Sequence, residues 1–342
     1  MNAMLLHHTV SLADNPEPLR LEVLPDPKPG PGQIRIRVSA CGVCHTELDE
    51  IEGRTPPPVF PIVLGHEVVG KVDALGDGVE TYQIGDRLGV GWIFSSCGLC
   101  PFCKAGLENL CPDFQATGRD AFGGYAEHMV IGEDFAFPIP DIFKDTEAAP
   151  LLCAGAIGFR SLRLTGLEDG QILGLTGFGG SAHLVLKMVR HQYPQSQVFV
   201  FARNEKERDF ARSLGAAWAG DTTDTSPKPC RAIIDTTPVW KPVVEALRNL
   251  EPGGRLVINA IRKEDVDKSY FMNLDYARHV WMEKEIKSVA NVARLDIAGF
   301  LKLAADIPVR PEIQTYPLDQ ANQALTDLKA GHIRGAKVLV MD

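Results

Sequence analysis

The stretch QILGLTGFGGSAHLVLKMVRHQ, residues 171–192, limits the fold more than any other segment of the chain. An apolar, strand-like run ends in glycines, and Ala182, Val185, Leu186 and Val189 then recur at helical spacing. Gly177, Gly179, Gly180 and Ala182 spell G-x-G-G-x-A at the junction. Isolated glycines mark only a turn, but between a strand and a helix each has a mechanical task. Gly177 makes the tight turn, Gly179 lets a pyrophosphate approach the backbone, and Ala182 stands where helix and strand touch. Gly180 and Ser181 open the helix, whose N-terminus attracts anions. The segment predicts a dinucleotide site in an α/β domain built on a parallel sheet.

The following blocks fit that domain. QVFVFARNEKERDFARSLGA reads as a second strand and helix, RAIIDTT and GGRLVINAI as the fourth and fifth strands, with Gly253 and Gly254 in the turn before the latter, and EIKSVANV as the sixth. At the end of the second strand, an NAD-preferring protein presents a carboxylate to the ribose hydroxyls. Here that position is held by Ala202, Arg203 and Asn204. The missing carboxylate removes repulsion against a 2′-phosphate, and Arg203 offers it charge-assisted hydrogen bonds, with Lys206 and Arg208 adding to the field. The alternative is a set of solvated charges at a helix start. The balance modestly favours NADP over NAD.

At 342 residues the chain is too long for one ordinary core, so two domains are expected. Its net charge of −9 argues against a nucleic-acid surface or a polybasic membrane patch. MNAMLLHHTV lacks the pattern of a secretory signal, and no run approaches the ~18 apolar residues of a membrane span. A cytoplasmic location is therefore the expectation, and in that reducing compartment clustered cysteines are ligands or catalysts more often than disulfides.

CGLCPFCKAGLENLC, residues 97–111, holds four of the eight cysteines. Cys97, Cys100, Cys103 and Cys111 follow C-x2-C-x2-C-x7-C, in which two-residue gaps let successive thiolates converge on one point. Four thiolates form a closed tetrahedral site, the arrangement of structural zinc. Two disulfides or an iron–sulfur cluster are the competing readings; the compartment opposes the first and the spacing the second. The other notable positions are spread out. Cys44 follows the alternating strand QIRIRVSA, His66 and Glu67 open a β-branched run in GHEVVGKV, and Cys153 heads a helix-like segment in PLLCAGAIGF. Singly, each has an ordinary structural explanation. A Cys–His–Cys set with one open position is nonetheless what catalytic zinc uses in alcohol dehydrogenases.

CGVCHTE, GHEVVG, the four-cysteine run and PLLCAG occur in an order and spacing that resemble the zinc-dependent medium-chain alcohol dehydrogenases, over nearly the whole chain. The resemblance implies a GroES-like β-rich catalytic domain over 1–150, with a structural-zinc lobe near 95–113. It implies a Rossmann domain over 151–290, a return to the catalytic domain over 291–342, and zinc in the cleft between the domains. It implies Cys44, His66 and Cys153 as ligands of a catalytic zinc. Glu67 would approach the metal during water exchange, and Glu47 would orient ligands. Thr46 would hydrogen-bond the substrate oxygen, and Trp92 would wall the substrate pocket. His45 and Arg334 would contact the cofactor pyrophosphate. One position departs from the pattern: Asp49 stands where many members carry a proton-relaying histidine, so Asp49 through water, His45 or bulk solvent ends the relay.

The implied activity is reversible hydride transfer between a small to medium alcohol, with its aldehyde or ketone, and a nicotinamide cofactor. The alternatives are an aldehyde reductase working mainly in the reducing direction with NADPH, and a non-catalytic zinc-binding module. No nucleic-acid or membrane partner is expected, and assembly as a homodimer or homotetramer follows from the resemblance.

Overall fold

A computed structural model describes residues 1–307, 309–331 and 335–341. The chain divides into two compact units, Met1–Cys153 with Val292–Ala305 and Arg310–Asp342, and Ala154–Asn291 with Asp306–Val309. The first division therefore falls directly after Cys153, which stays with the N-terminal unit.

In the first unit the strands are β1 (Asn2–Leu6), β2 (Leu19–Val23), β3 (Gln33–Val43), β4 (Ile62–Val63), β5 (Val68–Leu75), β6 (Arg87–Val90), β7 (Ile93–Ser95), β8 (Gln115–Ala116), β9 (His128–Gly132) and β10 (Phe137–Pro138). Between them lie three short helices, α1 (His45–Ile51), α2 (Pro101–Lys104) and α3 (Asp145–Ala148). β3 organises the unit. Ile34, Ile36 and Val38 alternate with less buried neighbours along it and enter the core, as a half-buried strand requires. It pairs antiparallel with β5 and β9. Its last four residues, Ala40–Val43, are buried, and the chain then turns at once into α1.

The second unit is built from β11 (Ile172–Thr176), β12 (Gln197–Phe201), β13 (Trp218–Gly220), β14 (Cys230–Asp235), β15 (Leu250–Ile258) and β16 (Glu285–Ser288), with α4 (Ala154–Thr165), α5 (Gly180–Gln192), α6 (Glu205–Ser213) and α7 (Lys241–Arg248). Every strand pair is parallel, and the order is β13-β12-β11-β14-β15-β16. That is the doubly wound order 3-2-1-4-5-6, which switches direction beside β11. Ala182, Val185, Leu186 and Val189 are all buried, each apolar side chain of that size contributing roughly 1–3 kcal/mol. Gly158 of α4 leaves only 3.1 Å between an ideal Cβ and Val185 Cγ2, so a larger residue there would force the two helices apart. Gly253 and Gly254 lie within β15 rather than in a turn ahead of it, next to a register shift opposite Cys230–Ala232. The shift lets the strand begin at Leu250 and absorb both glycines.

The chain then returns to the first unit through α8 (Arg294–Asp306), β17 (Ile313–Pro317), α9 (Ala321–Ala330) and β18 (Ala336–Val340). β18 pairs antiparallel with β3 at Ala40–Val43, which fixes the strand end that leads to Cys44. No helix among the described residues is long and apolar enough to cross a membrane.

Candidate active site

Cys44 is the N-cap of α1, in extended conformation. Three residues on, Glu47 reaches back so that its Oε2 accepts the Cys44 amide at 2.8 Å. Its other oxygen, Oε1, lies 2.6 Å from His66 Nδ1. One fully buried carboxylate thus holds the backbone of one cysteine and the ring of one histidine. Gly65 precedes that histidine with φ +97°, a conformation suited to glycine, and an ideal Cβ there would sit 2.4 Å from the Tyr125 ring. Tyr125 and the glycine together set where His66 points. The Trp92 ring stands edge-on to the imidazole, with centroids 5.0 Å apart.

Cys153 arrives from the end of the 3-10 turn Ala149–Leu152. Its sulfur is 4.0 Å from Cys44 Sγ, and Thr46 Oγ1 is 3.7 Å from Cys44 Sγ. One ligand atom each from Cys44, His66, Glu67 and Cys153 lies within 4.8 Å of the others. His66 Nε2 is buried without a hydrogen-bond partner. A buried imidazole nitrogen with nothing to bind is costly unless a cation takes it. The contact with Cys153 pulls the Cys44 thiol well below the usual range and pushes Cys153 well above it. Two buried sulfurs so close, with opposed proton affinities, suit a shared cation. Burial and the neighbouring Cys44 raise the Glu67 carboxyl. The donor set, two thiols and an imidazole with a carboxyl in reserve, fits zinc.

The four-cysteine run is folded as a separate cradle. Cys97 Sγ is 3.9 Å from Cys103 and 3.5 Å from Cys111, and Cys100 Sγ is 3.5 Å from Cys103. Sulfurs at Zn–S bond length around one tetrahedral centre stand about 3.8 Å apart. The amides of Cys97, Cys100 and Cys103 each donate to a cysteine sulfur of the set at 3.4 Å, stabilising thiolates. All eight cysteines are free, so the spacing does not arise from disulfides.

In the second unit, Gly177 has φ +72° and Gly179 is the N-cap of α5. An ideal Cβ at Gly179 or Gly180 meets nothing within 4 Å, so the backbone there is open to an approaching phosphate. Ala182 is fully buried, and Ser181 lies in the first turn of α5. These residues fit a dinucleotide. At the end of β12, Ala202 is buried and Arg203 exposed, while the Asn204 side chain caps α6 through the Lys206 amide. Arg208 is already committed, to Glu205, to Asp221 at 3.3 Å and to the Ala202 carbonyl at 2.7 Å. It does not add to the free positive field expected there. Arg334 lies outside the described residues.

An alcohol dehydrogenase GroES-like domain is recognised over residues 30–141. A probable alcohol dehydrogenase, AdhA, of Mycobacterium tuberculosis is 42% identical over 320 residues, covering 92% of this chain and 90% of that protein. The chain belongs to the zinc-binding medium-chain dehydrogenase/reductase superfamily. An alcohol dehydrogenase of Geobacillus stearothermophilus is 30% identical over 95% of this chain and 97% of its own. The solved cinnamyl alcohol dehydrogenase from Sorghum bicolor superposes with a TM-score of 0.81 at 26% identity, over 99% and 97% of the two chains. As a member of this superfamily the protein is an oxidoreductase, moving a hydride between an alcohol or its carbonyl partner and a nicotinamide cofactor.

Other residues of this dehydrogenase lie where sequence patterns do not reach. His45 is exposed at the start of α1, and Thr46 half-buried. Asp49, in place of the relay histidine, is 6% exposed and paired with Arg54. Glu50 went unnoticed in the sequence. It is 1% exposed, both its oxygens lack a hydrogen-bond partner, and burial with the neighbouring Glu47 holds its carboxyl well above the usual range. The only sequence signal was its place three residues after Glu47, on the same helical face.

Proposed function

We propose that Cys44, His66 and Cys153 hold a catalytic zinc, with Glu67 as an alternative ligand, and that Cys97, Cys100, Cys103 and Cys111 hold a structural zinc. The observation that carries the reading is the buried, partnerless His66 Nε2 in a cluster with two sulfurs, beside the Thr46 hydroxyl. When bound, the zinc supplies Lewis acidity for the substrate oxygen, and the nicotinamide accepts or gives the hydride.

The protein's own residues orient and deprotonate. Glu47 fixes the His66 tautomer by accepting a hydrogen bond from Nδ1–H, which leaves Nε2 as the ligand atom. Thr46 Oγ1 accepts the proton of the substrate hydroxyl and passes its own along α1. From there Asp49 through water, His45 or bulk solvent ends the relay, Asp49 being paired with Arg54. Trp92, packed against His66, narrows the pocket, which suits small to medium primary alcohols and aldehydes. Gly177, Gly179, Gly180, Ser181 and Ala182 seat the pyrophosphate. Ala202, Arg203 and Asn204 receive the adenosine ribose. NADP is favoured over NAD on the missing carboxylate and the exposed Arg203 alone, because Arg208 is spent on its acidic neighbours. Oxidation and reduction both run on this site, in a cytoplasmic homo-oligomer.

Zinc per chain by elemental analysis, joined to a substrate panel run with both cofactors, tests the proposal. About two zinc ions per chain are expected, falling to about one in Cys44→Ala and His66→Ala with the fold retained and alcohol oxidation lost. Normal turnover in Cys44→Ala would overturn the ligand assignment. Equal kcat/KM with NAD and NADP would overturn the cofactor preference.

A further inference from the structure

A closed network of polar side chains joins the carboxyl ends of β11 and β14 to the segment after β15. Asp235, the last residue of β14, is fully buried. Its Oδ1 accepts the Thr176 hydroxyl at 2.5 Å, the Thr237 hydroxyl at 2.7 Å and the Thr237 amide at 3.3 Å. Its Oδ2 accepts a hydrogen bond from Lys263. The Lys263 ammonium, 7% exposed, also donates to the carbonyls of Thr237 at 2.6 Å and Val239 at 3.1 Å. The Thr176 carbonyl in turn accepts the hydroxyl of Thr236 at 2.9 Å and its amide at 3.1 Å.

Thr176 is the residue before Gly177. An ideal Cβ on Gly177 would lie 3.0 Å from Thr237 Cγ2 and 3.1 Å from Thr236 Oγ1, so the two threonines form the floor under the glycine turn. In open α/β sheets ligands bind outside the carboxyl ends of the strands at the switch point, which is this place. A buried ion pair is a weak source of stability, since apolar residues of similar volume often serve as well. The network has a geometric use instead. Lys263 is neutralised by Asp235 and nearly closed to solvent, so it is not itself a phosphate ligand.

We infer that the Asp235–Lys263 pair is a positioning unit for the dinucleotide, holding the Thr236–Thr237 floor against the glycine turn so that its backbone amides face the pyrophosphate. The inference rests on the cofactor assignment proposed above. Without the ammonium, the Thr237 carbonyl loses its donor, the Val239 carbonyl keeps only the Thr237 hydroxyl at 3.4 Å, and the floor is free to shift.

The test is direct titration of the zinc-loaded enzyme with NADH and NADPH, read by nicotinamide fluorescence, beside steady-state kinetics and a thermal melt. Lys263→Met should raise the dissociation constant and the dinucleotide KM by about tenfold or more, as small misplacements do, while kcat at saturating dinucleotide stays within about twofold. Lys263→Arg, which keeps charge and donors, should recover most of the affinity. If Lys263→Met does not fold, Thr237→Val decides: it deletes one hydroxyl from Asp235 and should still weaken dinucleotide binding severalfold. Binding within about twofold of wild type, in Lys263→Met or, where that variant does not fold, in Thr237→Val, overturns the positioning role. A wild-type chain that binds neither NADH nor NADPH overturns the cofactor assignment itself.

Discussion

The Glu47 carboxylate spans Cys44 and His66, one oxygen 2.8 Å from the cysteine amide and the other 2.6 Å from the histidine Nδ1. It joins the beginning of α1 to the turn before β5, so it fixes both residues proposed as ligands. Glu47→Gln keeps the size but weakens the grip on the ring, and catalytic-site zinc affinity should fall roughly 10–100-fold. Chelator competition on the purified variant should remove one zinc early while the second persists. If both ions leave together at the wild-type rate, the bridge has no such role.

Gly42 is constrained by Glu67 rather than by its own backbone angles. Its amide donates to the Glu67 carbonyl at 2.9 Å, and an ideal Cβ there would fall 1.7 Å from Glu67 Oε2. Gly42→Ala must displace that carboxylate or the end of β3, next to Cys44. Alcohol oxidation should drop about 100-fold, as it does when reacting groups move by about 1 Å. Unchanged kinetics would mean that Glu67 relocates freely and has no part at the site.

Among residues 97–111 only Glu108 and Cys111 are buried. Too little apolar surface is covered there to order the segment, so the proposed structural zinc would have to do so. Cys103→Ser should lose one zinc and expose this stretch to limited proteolysis. Fragments mapped by mass spectrometry should begin or end inside 97–111, and an uncut variant would contradict the structural role.

Glu52 ties the end of α1 to α9 and to the N-terminal loop. Burial alone would raise its carboxyl, but hydrogen bonds from Lys329, Arg54 and the Leu12 amide bring it down to about 2, from an ordinary 4.5. A depressed folded value stabilises the protein above the unfolded value and is lost as pH falls from about 4.5 toward 2. Glu52→Gln should therefore cost on the order of 1–2 kcal/mol at pH 7 after allowance for solvent screening, with the gap from wild type closing as the pH drops. Paired urea melts at pH 7 and pH 3 would show it. A gap that widens in acid would refute the assigned sign.

What the sequence disclosed was chemistry carried by short spacings. The four cysteines lie within residues 97–111 and the glycine turn within 177–182, so residue type and interval nearly suffice. Cys44, His66 and Cys153 are separated by up to 109 positions, and only the resemblance to a family brought them together before the fold did. Glu50 gave only its spacing from Glu47 and the Asp235–Lys263 pair gave no pattern, because what makes them notable is burial and partners set by tertiary packing. Arg208 shows the converse. Its charge was plain in the sequence, but Glu205 and Asp221 absorb it once α6 and β13 are in place. Gly253 and Gly254 read as a turn, and the register shift beside them could be seen only in the paired strands.

Trp92 meets His66 edge to face, its centroid 5.0 Å from a ring whose Nε2 is buried without a hydrogen-bond partner. Any change in the imidazole's charge or tilt is felt at once by the indole, whose emission follows local fields. With Trp218, Trp240 and Trp281 replaced, the remaining indole becomes an optical gauge of that imidazole, readable in solution without a dye or a substrate.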